Sequence, residues 1–102
     1  MEKTISGKTV SVNEEGYLTD FSQWNRDIAG EIAREEQIVL SERHWEVIAY
    51  LQEQYKKKIP MSIRKIRNSG VIDIKEFYAL FPKGPLKTAS RIAGLPKPVS
   101  CI

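Results

Sequence analysis

The chain has 102 residues, of which 41% are hydrophobic and 28% charged, and its formal net charge is +3. This length suits one domain with one core, and the composition is that of a globular chain rather than a disordered one. The small positive excess falls short of the dense basic surface of a dedicated nucleic-acid binder.

No apolar run approaches the roughly 20 residues that a membrane-spanning helix needs. The first residues also lack the apolar stretch of a secretory signal. We therefore expect a cytoplasmic protein with no membrane partner.

The N-terminal residues predict a small β-hairpin. β-Formers occur at Thr4-Ile5 and again at residues 8–12, on either side of Ser6-Gly7, a plausible tight turn. A second turn is predicted at residues 13–16, and Tyr17-Leu18 should return briefly to strand.

From about Asp20 the pattern changes to helical spacing, which predicts a first helix. Its inward face contains Phe21, Trp24, Ile28, Ala29, Ile32 and Ala33. Ser41 is a suitable N-cap for a second helix, with Leu40 and Trp45 as a hydrophobic staple. The predicted inward stripe of that helix is Trp45, Ile48, Leu51 and Tyr55.

Three shorter helices follow in the prediction. The third starts at Pro60, runs through Arg67 and stops at residues 68–70. The fourth is capped by Asp73 with Glu76 and buries Ile74, Phe77, Leu80 and Phe81. The fifth opens at Gly84-Pro85, runs to about Ala93 and is closed by Gly94.

After Gly94 the prolines at 96 and 98 disfavour helix and favour extended backbone. The predicted fold is therefore mainly α: an N-terminal hairpin, a bundle of about five helices over residues 1–94, and a mobile C-terminal arm over residues 95–102. An extended arm of that length would reach on the order of 25 Å.

Cys101, the only cysteine, stands one residue from the end of this arm. It has no internal disulfide partner, so redox or nucleophilic use is open. Lys97 is the nearest cation in sequence and would lower its pKa, whereas the terminal carboxylate of Ile102 would raise it. The alternative is an incidental surface cysteine on a frayed tail.

His44 is the only histidine, and it could simply satisfy the first turn of the second helix. With no second Cys or His nearby, a zinc site is implausible. No phosphate-binding loop or catalytic triad pattern stands out, so we expect neither a cofactor nor a metal.

Basic side chains form two groups. Lys83, Lys87 and Arg91 recur every four residues along one side of the fifth helix, and Arg64 begins a second group with Lys65 and Arg67. Together with Lys97 they could dock an acidic partner or tRNA phosphate, or they could be a solvated surface. Another alternative treats the third and fourth helices as a helix-turn-helix for DNA.

Several segments resemble the TusE/DsrC family over nearly the whole chain. At the C-terminus the resemblance lies in residues 80–85 (Leu-Phe-Pro-Lys-Gly-Pro) and 92–102 (Ile-Ala-Gly-Leu-Pro-Lys-Pro-Val-Ser-Cys-Ile). Earlier segments with the same resemblance are residues 15–18, 22–24, 40–41 and 44–48.

The resemblance implies that Cys101 receives sulfur as a persulfide from an upstream donor protein and passes it on. It implies a downstream enzyme that thiolates the wobble uridine of tRNA, with tRNA as a possible further partner. DsrC proper has a second cysteine eleven positions earlier, where this chain has Ser90. Because serine cannot complete a two-cysteine cycle, the sequence looks like the TusE type.

The resemblance leaves two questions open. The chain could be a sulfurtransferase without a cofactor, or it could dock on sulfite reductase subunits as a DsrC-like gamma subunit or regulator. Between Pro60 and Phe77 it is also shorter than the family pattern, which could alter how Arg64 and the third helix are presented.

Overall fold

The N-terminal hairpin and the helices follow one another in chain order in the computed structural model, which describes residues 1–5, 7–59 and 62–97. Over these residues the predicted mainly α fold is confirmed. The elements are β1 (Glu2–Ile5), β2 (Lys8–Ser11), a 3-10 turn (Phe21–Gln23), α1 (Arg26–Glu35), α2 (Glu42–Lys56), α3 (Ile63–Ser69), α4 (Ile74–Leu80) and α5 (Pro85–Ile92). No helix in these three ranges is long and apolar enough to cross a membrane.

The predicted hairpin is confirmed. β1 and β2 pair antiparallel, from Glu2 opposite Ser11 to Ile5 opposite Lys8. Gly7 supplies the positive φ of the turn, at 79°. Ser6, the other predicted turn residue, lies outside the described residues. The predicted return to strand is a single bridge between Val12 and Leu18.

The prediction of one continuous helix from Asp20 was wrong. Asp20 caps only the 3-10 turn, and Trp24 then has extended backbone with φ −74° and ψ 141°. α1 begins afresh because the Asn25 side chain accepts a hydrogen bond from the Ile28 N–H at 2.9 Å. The apolar spacing continues through this break, so periodicity alone did not indicate it.

α2 begins after Ser41 as predicted, but its inward face is rotated from the predicted stripe. The buried side chains are His44, Val47, Ile48 and Leu51. Trp45 is only half-buried, and Tyr55 is 41% exposed. Trp45 still packs against the core, so the predicted stripe was wrong at Tyr55 and omitted His44 and Val47, because neighbouring elements cover the adjoining face of the helix.

Residues 62–80 form two capped helices. Ser62 accepts from the Lys65 N–H at 3.2 Å and starts α3, while Pro60, the predicted start, lies outside the described residues. Gly70 ends α3 with φ 76°, and Asp73 caps α4 as predicted, at 2.8 Å from the Glu76 N.

α5 packs against α1, α2 and α4 and lies at the centre of the molecule. Leu86, Ala89 and Ile92 point into the core, whereas Lys87 is exposed. The predicted start at Gly84-Pro85 and the end near Ala93 are confirmed. Any functional segment that follows α5 is therefore attached to the best-buried helix.

Candidate functional site: the C-terminal end of α5

The last carbonyls of α5 are all hydrogen-bonded. The N–H of Leu95 donates to Ser90 O at 2.9 Å, and the N–H of Gly94 donates to Arg91 O at 3.2 Å. The indole Nε1 of Trp24 donates to Ile92 O at 2.8 Å, and Nε2 of Gln52 donates to Ala93 O at 2.9 Å. Two side chains from distant elements thus complete the capping that a helix cannot provide for itself.

The segment that follows α5 starts inside the core. Leu95 is 5% exposed and belongs to the main hydrophobic cluster, whereas Pro96 and Lys97 are exposed. The division of the chain into a domain of residues 1–94 and an arm of residues 95–102 stays a prediction. The first residue of the predicted arm, Leu95, has its side chain packed against the domain.

Cys101 lies outside the described residues, so its role stays a prediction from the sequence. Ser90, eleven positions earlier, is described: it lies on α5 and is 4% exposed. The structure therefore puts an alcohol in the interior where DsrC proper is expected to have its second thiol.

Arg91 is committed to contacts within the domain. Its side chain is 14% exposed, and it donates to Glu35 Oε1 at 2.9 Å, to a carboxylate oxygen of Glu36, and to Gly16 O at 3.3 Å. Its charge is already neutralised there, so it contributes to a docking surface less than its spacing on the helix indicated.

The pKa of Glu35 reflects this cluster. Burial raises the pKa of the Glu35 carboxyl, but hydrogen bonds from Lys3 and Arg91 together outweigh burial and hold the pKa below its ordinary value of 4.5. The carboxylate is therefore charged near neutral pH and joins β1, α1 and α5.

Lys83 and Lys87 remain exposed beside this cluster. Together with Arg91 they line a shallow polar pocket whose other walls are Glu15, Tyr17, Glu36 and Thr88. Lys97 approaches the same side, since its Nζ lies 3.0 Å from a carboxylate oxygen of Glu15. The structure thus brings Lys83, Lys87, Arg91 and Lys97 together around the turn at residues 13–16.

Arg64 stands apart from this group. It is exposed on α3 and is not among the residues that line the polar pocket. Its predicted docking role, and the alternative reading of α3 and α4 as a DNA-binding pair, stay predictions.

His44 is a capping residue, as the simpler interpretation predicted. The Ser41 N–H donates to Nδ1 at 3.0 Å, and Nε2 lies 3.0 Å from Leu80 O. Because a carbonyl only accepts, Nε2 carries the ring hydrogen. His44 is 6% exposed, and among residues 1–5, 7–59 and 62–97 no group of His, Cys, Asp and Glu could hold a metal ion.

The contacts of Trp24 and Gln52 with α5 were not found from the sequence. Trp24 read as an ordinary core position of a helix, and Gln52 is one of several polar residues on α2. Nothing in their spacing indicates a hydrogen bond to a carbonyl 68 or 41 residues away.

The described residues define a small helical protein whose central helix leads directly into the C-terminal segment. A family profile described as "DsrC like protein" matches residues 4–102. The chain belongs to this family, as the resemblance had indicated.

Similar proteins include sulfurtransferase TusE of Salmonella typhimurium (strain LT2), which is 42% identical over 106 positions that cover 96% of this chain and 97% of that protein. The alignment is longer than this 102-residue chain, so that relative has residues that this chain lacks. This agrees with a shortened chain without locating the gap.

Two solved structures show the same fold along the whole chain. The NMR structure of Allochromatium vinosum DsrC is 38% identical with a TM-score of 0.85, and both chains are covered completely. The oxidized gamma-subunit of the dissimilatory sulfite reductase (DsrC) from Archaeoglobus fulgidus is 34% identical with a TM-score of 0.82, again with complete coverage. The architecture of the described residues is therefore that of these DsrC structures.

Proposed function

We propose that this protein carries sulfur as a persulfide on Cys101, in a relay for the formation of 2-thiouridine in tRNA. The observation that carries the proposal is a single cysteine, at position 101, in a chain 42% identical to a sulfurtransferase TusE over 96% of its length. A relay needs one accessible thiol, whereas a two-cysteine redox cycle needs a second, and position 90 is a buried serine.

The chemistry is thiol exchange at sulfur. The Cys101 thiolate attacks the outer sulfur of a donor persulfide, and its electron pair forms the new S–S bond. The electron pair of the old S–S bond leaves with the donor's inner sulfur as a thiolate, so no external oxidant or reductant is consumed. Cys101 then carries the persulfide to the acceptor by the same exchange.

We place this chemistry in the cytoplasm. The thiol must stay reduced to accept sulfur, and a reducing compartment keeps a lone cysteine in that state. The partners are an upstream persulfide-donor protein and a downstream tRNA-thiolating enzyme, with tRNA bound to the latter. Lys83, Lys87 and Lys97, and separately Arg64, are the side chains we propose for docking them.

The test is intact mass spectrometry after incubation with a persulfide-loaded donor. We expect a gain of one sulfur atom on Cys101 and its loss on later exposure to the acceptor. Cys101→Ser should abolish the gain, and Ser90→Ala should leave it unchanged. No gain in the wild-type protein with any loaded donor would refute the proposal.

The likeness to the gamma-subunit from Archaeoglobus fulgidus favours a second candidate, a subunit or regulator that docks on a sulfite reductase. The equal coverage of both chains supports it. The two candidates differ in the partner that co-purifies from native cells: sulfite reductase subunits in one case, a tRNA-thiolating enzyme in the other. In the docking case Cys101→Ser should leave binding intact.

A further inference from the structure

Contacts among residues 20–25 hold the side chain of Trp24 in position. On one side of it the Asp20 carboxylate accepts from the Ser22 N–H at 3.0 Å, and on the other the Asn25 side chain caps α1. The ring of Phe21 stacks on the indole, with centroids 6.2 Å apart and an angle of 14° between the planes. These local contacts help to direct the indole N–H at Ile92 O, to which it donates at 2.8 Å.

Gln52 reaches α5 from another direction. It follows the buried Leu51 on α2, and its amide donates to Ala93 O. Consecutive carbonyls of the chain, at 92 and 93, are thus held by side chains from two separate elements. Ile92 and Ala93 are both 0% exposed, so loss of either donor would leave a buried carbonyl unpaired and favour a shift of the backbone there.

Gly94 lies directly against the indole. Its φ is 75°, and a Cβ built on it would lie 2.5 Å from Trp24 Cδ1 and 2.7 Å from Cγ. Real Cβ contacts are essentially never that short, so the backbone passes Trp24 at a distance that only glycine permits. Leu95 then enters the core, and Pro96, with a fixed φ, is the first exposed residue.

We propose that Trp24 and Gln52 are positioning residues for Cys101: by holding the backbone at Ile92, Ala93 and Gly94, they set the direction in which the C-terminal segment leaves the domain. The inference rests on the proposed role of Cys101. Cys101 follows Leu95 by six positions, a span of about 20 Å when extended. A small change in backbone direction at Gly94 therefore displaces the end of an extended segment by a larger distance.

The test uses the single cysteine. A nitroxide attached to Cys101 broadens the NMR signals of amides close to it, so the pattern of broadening over the domain reports where the tip goes. Gln52→Ala removes one donor, and Trp24→Phe removes the indole N–H while keeping an aromatic ring. Gln54→Ala, two residues away on the same helix, is the matched control.

We expect the broadening in Gln52→Ala and Trp24→Phe to extend to amides that are unaffected in the wild-type protein, while Gln54→Ala reproduces the wild-type pattern. If all variants give the wild-type pattern, the proposal is overturned. Should Trp24→Phe fail to fold, Gln52→Ala with its control still decides the question.

A second measurement separates positioning from reactivity. In single-turnover sulfur transfer, Gln52→Ala should lower the second-order rate constant for reaction with the loaded donor about ten-fold, because a misplaced thiol makes fewer productive encounters. Its alkylation by a small soluble reagent should match the wild-type rate. A wild-type rate constant for sulfur transfer, or an equal fall in the alkylation rate, would contradict positioning.

The two proposals fail separately. A changed broadening pattern in a protein that never gains sulfur would uphold the positioning role and refute the carrier role. Normal sulfur transfer with an unchanged broadening pattern in the variants would uphold the carrier role and refute the positioning role.

Discussion

Arg91 donates from Nη2 to Glu35 Oε1 at 2.9 Å and thereby joins the end of α5 to the end of α1. The same guanidinium reaches Gly16 O in the turn that faces Lys97 through Glu15. This one side chain connects the packing of the core with the surface beside the C-terminal segment.

The Glu35 cluster predicts a pH dependence of stability. Because the pKa of Glu35 is lowered in the folded protein, its contribution is complete above the ordinary value of 4.5 and is lost as the pH falls through the folded pKa. We expect the free energy of unfolding to fall from about pH 4.5 downward, measured by urea titration.

Glu35→Gln should flatten this fall, since glutamine does not titrate. Glu31→Gln is the control, because Glu31 pairs only with the exposed Arg34 among the described contacts, at 3.3 Å. An equal slope below pH 4.5 in Glu35→Gln and wild type would contradict the prediction.

The close approach of Gly94 to Trp24 predicts a large cost for an added methyl group. Gly94→Ala should lower the free energy of unfolding by about 3 kcal/mol, from strained backbone and overpacking together. Gly70→Ala is the matched control: its φ is 76°, but a Cβ there meets nothing within 4 Å. It should cost about 1 kcal/mol, so equal losses would show that the indole moves aside freely.

The contacts of His44 predict that its replacement lowers stability without changing sulfur transfer. Because it binds both Ser41 and Leu80, His44→Ala should lower the free energy of unfolding by about 3 kcal/mol, through a cavity and an unsatisfied carbonyl. Ser41→Ala should lose only about 1 kcal/mol. Sulfur transfer per folded molecule should be unchanged in both, and a loss confined to His44→Ala would point to a catalytic role instead.

The exposed lysines beside α5 predict electrostatic steering. The double variant Lys83→Glu, Lys87→Glu should slow association with the donor or acceptor roughly ten-fold at low salt, with a smaller difference at high salt. Stopped-flow mixing measures this rate.

Lys8→Glu, at the hairpin, controls for a change in charge elsewhere, and Arg64→Glu tests the second predicted docking position. Equal rates in the double variant and in Lys8→Glu would show that the lysines on α5 do not steer docking.

Much of the fold could be predicted because its determinants are local. The caps at Ser41 and Asp73, the Gly84-Pro85 start and the glycine stops are each specified within a few residues. The break at Trp24 was missed because the apolar spacing continues through it, and the face of α2 was misjudged because burial depends on which elements cover it.

The candidate site likewise combines features that could be predicted from the sequence with contacts that could not. The position of Cys101 and the four-residue spacing of the lysines are properties of the sequence. The neutralisation of Arg91 by Glu35 and Glu36, and the hydrogen bonds of Trp24 and Gln52 to α5, join residues far apart in the chain. Local patterns contain no information about such contacts.

The buried position of Leu95 has a practical consequence for protein engineering. Among the described residues Leu95 is the last member of the main hydrophobic cluster, so a peptide joined after it would leave the described members of that cluster in place. Tails of different lengths could be grafted there to measure how far from the domain the reacting sulfur must extend. A tail with selenium in place of the cysteine sulfur could be grafted at the same point.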